Sequence, residues 1–155
     1  MRGAWHLVAG GATRPPDAPR EQPRTTHHAF YVLDLPGYGY ARASHVERAA
    51  FRGLVGGVVA RPRLAGVVWL LDIRRDPSPD DRAMQDAFAS AGTPVLAALT
   101  KSDKLPRGQR LARATALKEA LAVDADQITL TSARTGNGIA ELRDAVAGLI
   151  RAVSP

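Results

Sequence analysis

Two aspartates, a lysine and a short run of small polar residues are the groups in this chain best placed for chemistry. Asp34 stands in "VLDLPGYGYA" (32–41), where an apolar run gives way to an acid, a proline and two glycines. Thr100, Lys101 and Asp103 stand in "LTKSDKL" (99–105), and Thr131, Ser132 and Ala133 open "TSARTGNGIAEL" (131–142). A carboxylate such as Asp34 can hold Mg²⁺ directly or through water, because a hard dication takes oxygen ligands and keeps several waters. Gly37 can offer its N–H to a terminal phosphate, since no side chain blocks the approach. Asp103 can accept two parallel hydrogen bonds, which match the N1–H and exocyclic amine of guanine; adenine cannot supply that pair. The stem of Lys101 can lie over a flat base. The backbone N–H of Ser132 or Ala133 can donate to the base's carbonyl oxygen.

These groups need elements to position them. Apolar runs at Phe30–Leu33, Leu64–Leu71, Pro94–Leu99 and Gln127–Leu130 predict strands. The central two are apolar throughout, as expected of parallel strands buried on both faces. Between them fall predicted helices at Ser44–Ala60, Ser78–Ala91, Arg107–Ala122 and Ile139–Val153. Ser44 and Glu47 form a capping-box pattern, while Gly53, Gly56 and Gly57 weaken the helix that follows. Asp80 and Asp81 suit a helix's first turn, and Gly92 suits its end. Alternating strands and helices imply an α/β fold with a mostly parallel sheet and right-handed crossovers. Ligands bind such sheets at the strands' carboxyl ends, where each of the three motifs falls. A lone D-x-x-G is a common turn and a lone T-K-x-D is hardly more specific. Their shared order and placement carry the guanine-nucleotide reading.

With "VVWLLDIRRDPSPDD" (67–81), these stretches resemble the EngB family of translation-factor-class GTPases, over residues 29–152. The resemblance implies a P-loop-GTPase-like G domain with helices flanking the sheet, Thr100, Lys101, Asp103, Ser132 and Ala133 at guanine, and Asp34, Gly37 and Tyr38 at the phosphates and switch. It implies GTP/GDP and Mg²⁺ as ligands, with Asp34 on the metal side. Family partners are rRNA or a ribosomal subunit precursor, in large-subunit assembly and normal cell division. Tyr38 stands where many GTPases place a water-positioning glutamine, so slow hydrolysis is expected.

The sequence departs from that family at its start. No G-x-x-x-x-G-K-[ST] is present, and the only lysines are Lys101, Lys104 and Lys118. Gly10-Gly11-Ala12-Thr13 is a faint echo, followed by Arg14-Pro15-Pro16 rather than a helix. The family's first strand, P-loop and first helix are therefore expected to be missing, leaving the strands that end at Asp34 and Asp72 without a neighbour. "PRTTHHAF" (23–30) resembles a compressed remnant of the family's first switch, in which Thr25 or Thr26 could stand in for its Mg²⁺-binding threonine. Residues 1–28 are expected to be an irregular or disordered leader, and 29–155 a partial G domain. A truncated or frame-shifted reading explains the leader. The alternative is a genuine P-loop-less module that docks on rRNA without turning nucleotide over.

Composition narrows the classes further. The chain has 155 residues, no cysteine and no apolar run long enough to span a bilayer, so a cytoplasmic monomer without disulfides is expected. The net charge of +6 lies wholly in residues 1–75, which hold eleven Lys/Arg against five Asp/Glu. Such an excess suits an anionic partner such as RNA, or simply a solvated surface. His6, His27, His28 and His45 lack the partners of a metal site. Arg74 and Arg75 read as rRNA or nucleotide contacts or as a solvated loop. Asp80, Asp81 and Asp86 read as a helix's acidic face, and Trp69 as core.

Overall fold

The computed structural model describes residues 4–10, 30–35 and 45–153. Gly37, Tyr38, Thr25, Thr26, His27, His28 and the cap Ser44 lie outside them. The elements run β1 (Ala4–Gly10), β2 (Phe30–Leu35), α1 (His45–Val59), β3 (Leu64–Asp72), α2 (Pro79–Ser90), β4 (Val95–Thr100), α3 (Arg107–Leu121), β5 (Ile128–Leu130) and α4 (Ile139–Val153), with 3₁₀ turns at Ser102–Lys104 and Ala125–Gln127. The sheet order is β2-β1-β3-β4-β5. Strands β3, β4 and β5 are parallel, and β1 runs antiparallel to both its neighbours, which makes β2 parallel to the rest. The α/β fold with a mostly parallel sheet is the one expected.

Strand β1 corrects two expectations. Residues 1–28 are not irregular throughout, because Ala4–Gly10 is a strand. Nor is there a gap between the strands carrying Asp34 and Asp72. Segment 4–10 fills it, with Trp5 opposite Leu35 on one side and Trp69 on the other. The physical reason is the ladder itself. Two apolar strands left without a partner expose rows of N–H and C=O groups, and any short β-prone run that reaches them satisfies both rows at once. "AWHLVAG" is such a run, although its terminal glycine and brevity hide it.

Helices cover the sheet on both faces. Alternate residues of β3 and β4 (Val67, Trp69 and Leu71; Val95, Ala97 and Leu99) pack with Val55 and Val58 of α1, Met84 and Phe88 of α2, and Ala114, Leu117 and Leu121 of α3. The intervening Val68, Leu70 and Ala98 face Leu142, Val146, Leu149 and Ile150 of α4. This period-two division explains why β3 and β4 are apolar up to their last residues, Asp72 and Thr100. Gly66 allows α4 its close approach, since a Cβ there would meet Leu149 Cδ1 at 2.7 Å and Pro94 O at 2.9 Å.

The helix ends follow local chemistry. Ser78 and Asp81 form a reciprocal capping box at α2, with Asp81 N–H donating to Ser78 Oγ at 3.1 Å and Ser78 N–H donating to Asp81 Oδ2 at 2.7 Å. Gly92, at φ +63°, turns the chain out of α2. Helix α1 forms despite three glycines because Val55 and Val58 are buried beneath it. No helix among the described residues is long and apolar enough to cross a membrane.

Trp69 is 0% exposed at the centre of β3, which makes it core rather than a stacking platform. Replacing it with alanine is expected to destabilise the fold by about 3–5 kcal/mol. Urea unfolding followed by circular dichroism reads this as a lowered midpoint, and an unchanged midpoint refutes the placement.

Candidate functional site

The parallel register sets the site. Asp72 lies opposite Thr100 at the ends of β3 and β4, and Leu99 lies opposite Leu130. The loops after β4 and β5 therefore leave the sheet side by side. Ser102 N–H donates to Thr131 O at 3.0 Å and Thr131 N–H to Leu99 O at 2.8 Å, which ties the two loops together. Thr100 Oγ1 donates back to Leu71 O at 2.9 Å.

The loop after β4 turns sharply. Lys101 adopts φ 60°, ψ 33°, a left-handed conformation that an L-residue with a side chain takes at some cost. The turn is held by Lys104 N–H donating to Lys101 O at 2.9 Å and by the Lys101 ammonium, which reaches Asp72 Oδ2 at 2.9 Å. Ser102 Oγ is buried with no hydrogen-bond partner among the described residues.

The loop after β5 folds back on itself. Ser132 N–H donates to Asn137 O at 2.9 Å and Gly136 N–H to Ser132 O at 2.9 Å. Gly138, at φ +70°, passes so close to Leu130 that any Cβ would collide with its carbonyl oxygen, so only glycine fits. This compact loop delivers Ser132 to Asp103, whose Oδ1 accepts from Ser132 Oγ at 2.7 Å. Asp103 Oδ2 accepts from Arg134 Nε at 2.8 Å, with Lys104 Nζ farther off at 3.9 Å.

Five of the expected residues thus come together at one end of the sheet: Thr100, Lys101, Asp103, Ser132 and Ala133. Thr131 and Ser132 are buried, while Asp103 and Lys101 are partly open. Asp34 is exposed and stands apart. It lies opposite His6, which lies opposite Val68, four positions before Asp72 on β3. The other two phosphate-side residues, Gly37 and Tyr38, are outside the described residues. No cluster of three or more His, Cys, Asp or Glu able to hold a metal occurs among the described residues. A nucleotide's Mg²⁺ needs less, since one or two carboxylates suffice when phosphates supply further oxygens. Asp34 fits that lesser role as a single ligand.

Sequence reasoning missed Asp72 and Arg134, and left Arg74 open between a nucleotide or rRNA contact and a solvated loop. Asp72 was legible only as a strand end, yet its carboxylate, 6% exposed, joins β3 to the loop after β4. Arg74 grips it with two bonds, Nε to Oδ1 at 2.9 Å and Nη2 to Oδ2 at 2.7 Å. Nothing local singles out Arg134 within its loop. The available signal was placement, because an acid at the carboxyl end of a buried strand needs compensation.

Electrostatics follow from these contacts. The Arg74 side-chain bonds hold the Asp72 carboxyl well below the usual carboxylate range, burial opposes them, and Lys101 adds to them. The same contact pushes the Arg74 guanidinium up. Asp103 is also lowered, chiefly by the Ser132 hydroxyl, against burial and with help from Arg134.

No family model matches the chain. It is 47% identical over 125 residues to a probable GTP-binding protein EngB of Gemmatimonas aurantiaca, covering 80% of this chain and 61% of that protein. A probable GTP-binding protein EngB of Syntrophomonas wolfei is 40% identical, covering 78% of this chain and 63% of the relative. The chain thus spans about three-fifths of the length of these relatives. A crystal structure of a probable GTP-binding protein EngB superposes with a TM-score of 0.66 at 16% identity, over 77% of this chain and 76% of that one. That likeness shows a shared fold.

Asp72 gives a pH prediction. Its pKa is lower folded than unfolded, so its contribution to stability is complete above the unfolded value and is lost as pH falls below about 4. Asp72→Asn is therefore expected to be less stable than the parent at neutral pH, with the gap closing under acid. Denaturant midpoints at several pH values check this, and a gap that stays constant with pH contradicts it.

Proposed function

The chain is homologous to the EngB GTP-binding proteins over four-fifths of its length, and on that premise we propose that it binds guanine nucleotides through the group at the ends of β4 and β5. One observation carries this reading. The Asp103 carboxylate is built into the joined loops, with its oxygens turned to donors and its position fixed by Ser132. Asp103 accepts guanine's N1–H and amine, and the backbone N–H of Ala133 meets the base's carbonyl oxygen, since that of Ser132 donates to Asn137 O. The Lys101 stem, tethered at its tip by Asp72, flanks the ring.

The phosphate side is weaker. Asp34, Gly37 and Tyr38 are its residues in this reading, with Asp34 toward Mg²⁺. Bound Mg²⁺ would supply charge neutralisation at the phosphates. With no G-x-x-x-x-G-K-[ST] to cradle them, and with a phenol at Tyr38, hydrolysis of GTP is impaired. The relatives' name supports nucleotide binding alone. A role in assembling the large ribosomal subunit and in cell division, as a cytoplasmic monomer, rests on the family resemblance and on the basic first half.

Titration with fluorescent GDP tests the reading: GTP should displace it and ATP should not. Asp103→Asn should move preference from guanine toward xanthine, whose 2-oxo group accepts where guanine donates. An unchanged base preference counts against the assignment.

The missing phosphate loop favours a second reading, in which the module docks on rRNA without turning nucleotide over. It predicts RNA binding that weakens steeply with salt and does not respond to GDP. Salt-insensitive or absent RNA binding removes it.

A further inference from the structure

Asp103 needs no ligand to be satisfied. Its side chain is 7% exposed, and each oxygen has a donor of its own. The two donors differ in kind. Ser132 is buried, and its Oγ also accepts the Thr135 N–H at 3.3 Å, so it belongs to the loop's frame. The Arg134 side chain is 68% exposed and reaches back from the rim to Oδ2. Removing the Arg134 contact costs the fold little, since exposed ion pairs are weak and screened.

The chemistry of the contact matters more than its strength. A guanidinium presents N–H groups fanned in one plane. Guanine's N1–H and 2-amino group are the same amidine-like pair of coplanar donors. Arg134 makes one bond of this kind, Nε to Oδ2, and so takes one of the two oxygens that the base would need. Lys104, at 3.9 Å from the same oxygen, adds charge without a hydrogen bond and has no planar donor array.

We propose that Arg134 is an internal competitor for the base: it occupies the Asp103 carboxylate when no nucleotide is bound and must swing away to admit guanine. The inference rests on Asp103 being the guanine-reading group. It gives Arg134 a function that lowers affinity, which a merely structural or ligand-contacting arginine would not have. The observed dissociation constant equals the intrinsic one divided by the fraction of molecules in the open arrangement. An exposed ion pair of ordinary strength corresponds to roughly a twofold to fivefold loss of affinity.

The test compares the full chain with R134A and R134Q in fluorescent GDP titrations at low and at high salt. Both variants should bind roughly twofold to fivefold tighter at low salt, and the ratio should shrink toward unity at high salt, where the ion pair is screened. NMR titration of the Asp103 carboxyl provides an independent readout: removing Arg134 should move its pKa upward toward the ordinary range. Equal or weaker GDP binding by both variants, with the parent binding normally, overturns the competitor and leaves the guanine reading intact. An Asp103 titration that does not move shows that the contact is absent and overturns it as well. If parent and variants all fail to bind GDP, the guanine reading falls and the competitor falls with it.

Discussion

Thr100 stands beside Asp72 because two parallel strands, apolar up to these last residues, are locked between helices on both faces. A slip of one residue in that register would turn Trp69 and Leu99 toward α4 and bring Val68 and Ala98 under the three-helix face. Burial forbids this, so the strand ends are fixed, and with them the starting points of both loops. The joining bonds from Ser102 to Thr131 and from Thr131 to Leu99 convert that register into a fixed distance between Asp103 and Ser132. The chemistry at the rim depends on packing in the middle.

Both carboxylates at this rim solve one problem. Each is nearly buried, so its charge is costly unless donors surround it. For Asp72 the donors come from two directions, the following loop through Arg74 and the neighbouring strand's loop through Lys101. For Asp103 they come from the β5 loop through Ser132 and Arg134. Hydrogen bonding outweighs desolvation in both, which keeps both charged at neutral pH. Lys101 serves in two ways. Its backbone takes the left-handed turn that presents Asp103, and its ammonium closes on Asp72, so the tether helps hold a conformation that would otherwise relax.

Much of this could be read from the amino acids, for identifiable reasons. The unbroken apolar runs of β3 and β4 exposed their double burial, and α4 ran over Ile139–Val153 as its apolar spacing required. The residues at the ends of β4 and β5 were legible because strand-end polar groups stand out against apolar neighbours. Strand β1 was not, since seven residues with terminal small groups have no distinctive period, and only the empty ladder positions beside them select the strand. Asp72 and Arg134 were invisible for a related reason. Asp72 is gripped locally by Arg74, but the partners that tie these two residues into the site lie 29 and 31 positions distant, and no local pattern records such a pairing.

The division between the two halves of the site has an energetic consequence. Charge-assisted hydrogen bonds contribute about 1.5–3 kcal/mol each, so in the proposed reading the base's pair on Asp103 would supply roughly 3–6 kcal/mol. Association alone costs at least about 4 kcal/mol in lost freedom. Base reading by itself therefore gives discrimination between bases but little affinity. Tight nucleotide binding requires a phosphate contribution, and the chain lacks the glycine-lysine loop that ordinarily makes it. In its place, the antiparallel β1 occupies the sheet between the strands that carry Asp34 and Asp72. A strand running in that direction enters the sheet from its carboxyl edge instead of leaving toward it. It can complete the ladder, but it cannot lead from its end into a loop over the phosphates. The sheet is repaired by β1, and in the proposed reading the direction of that strand leaves the base side of the site without a phosphate side to match.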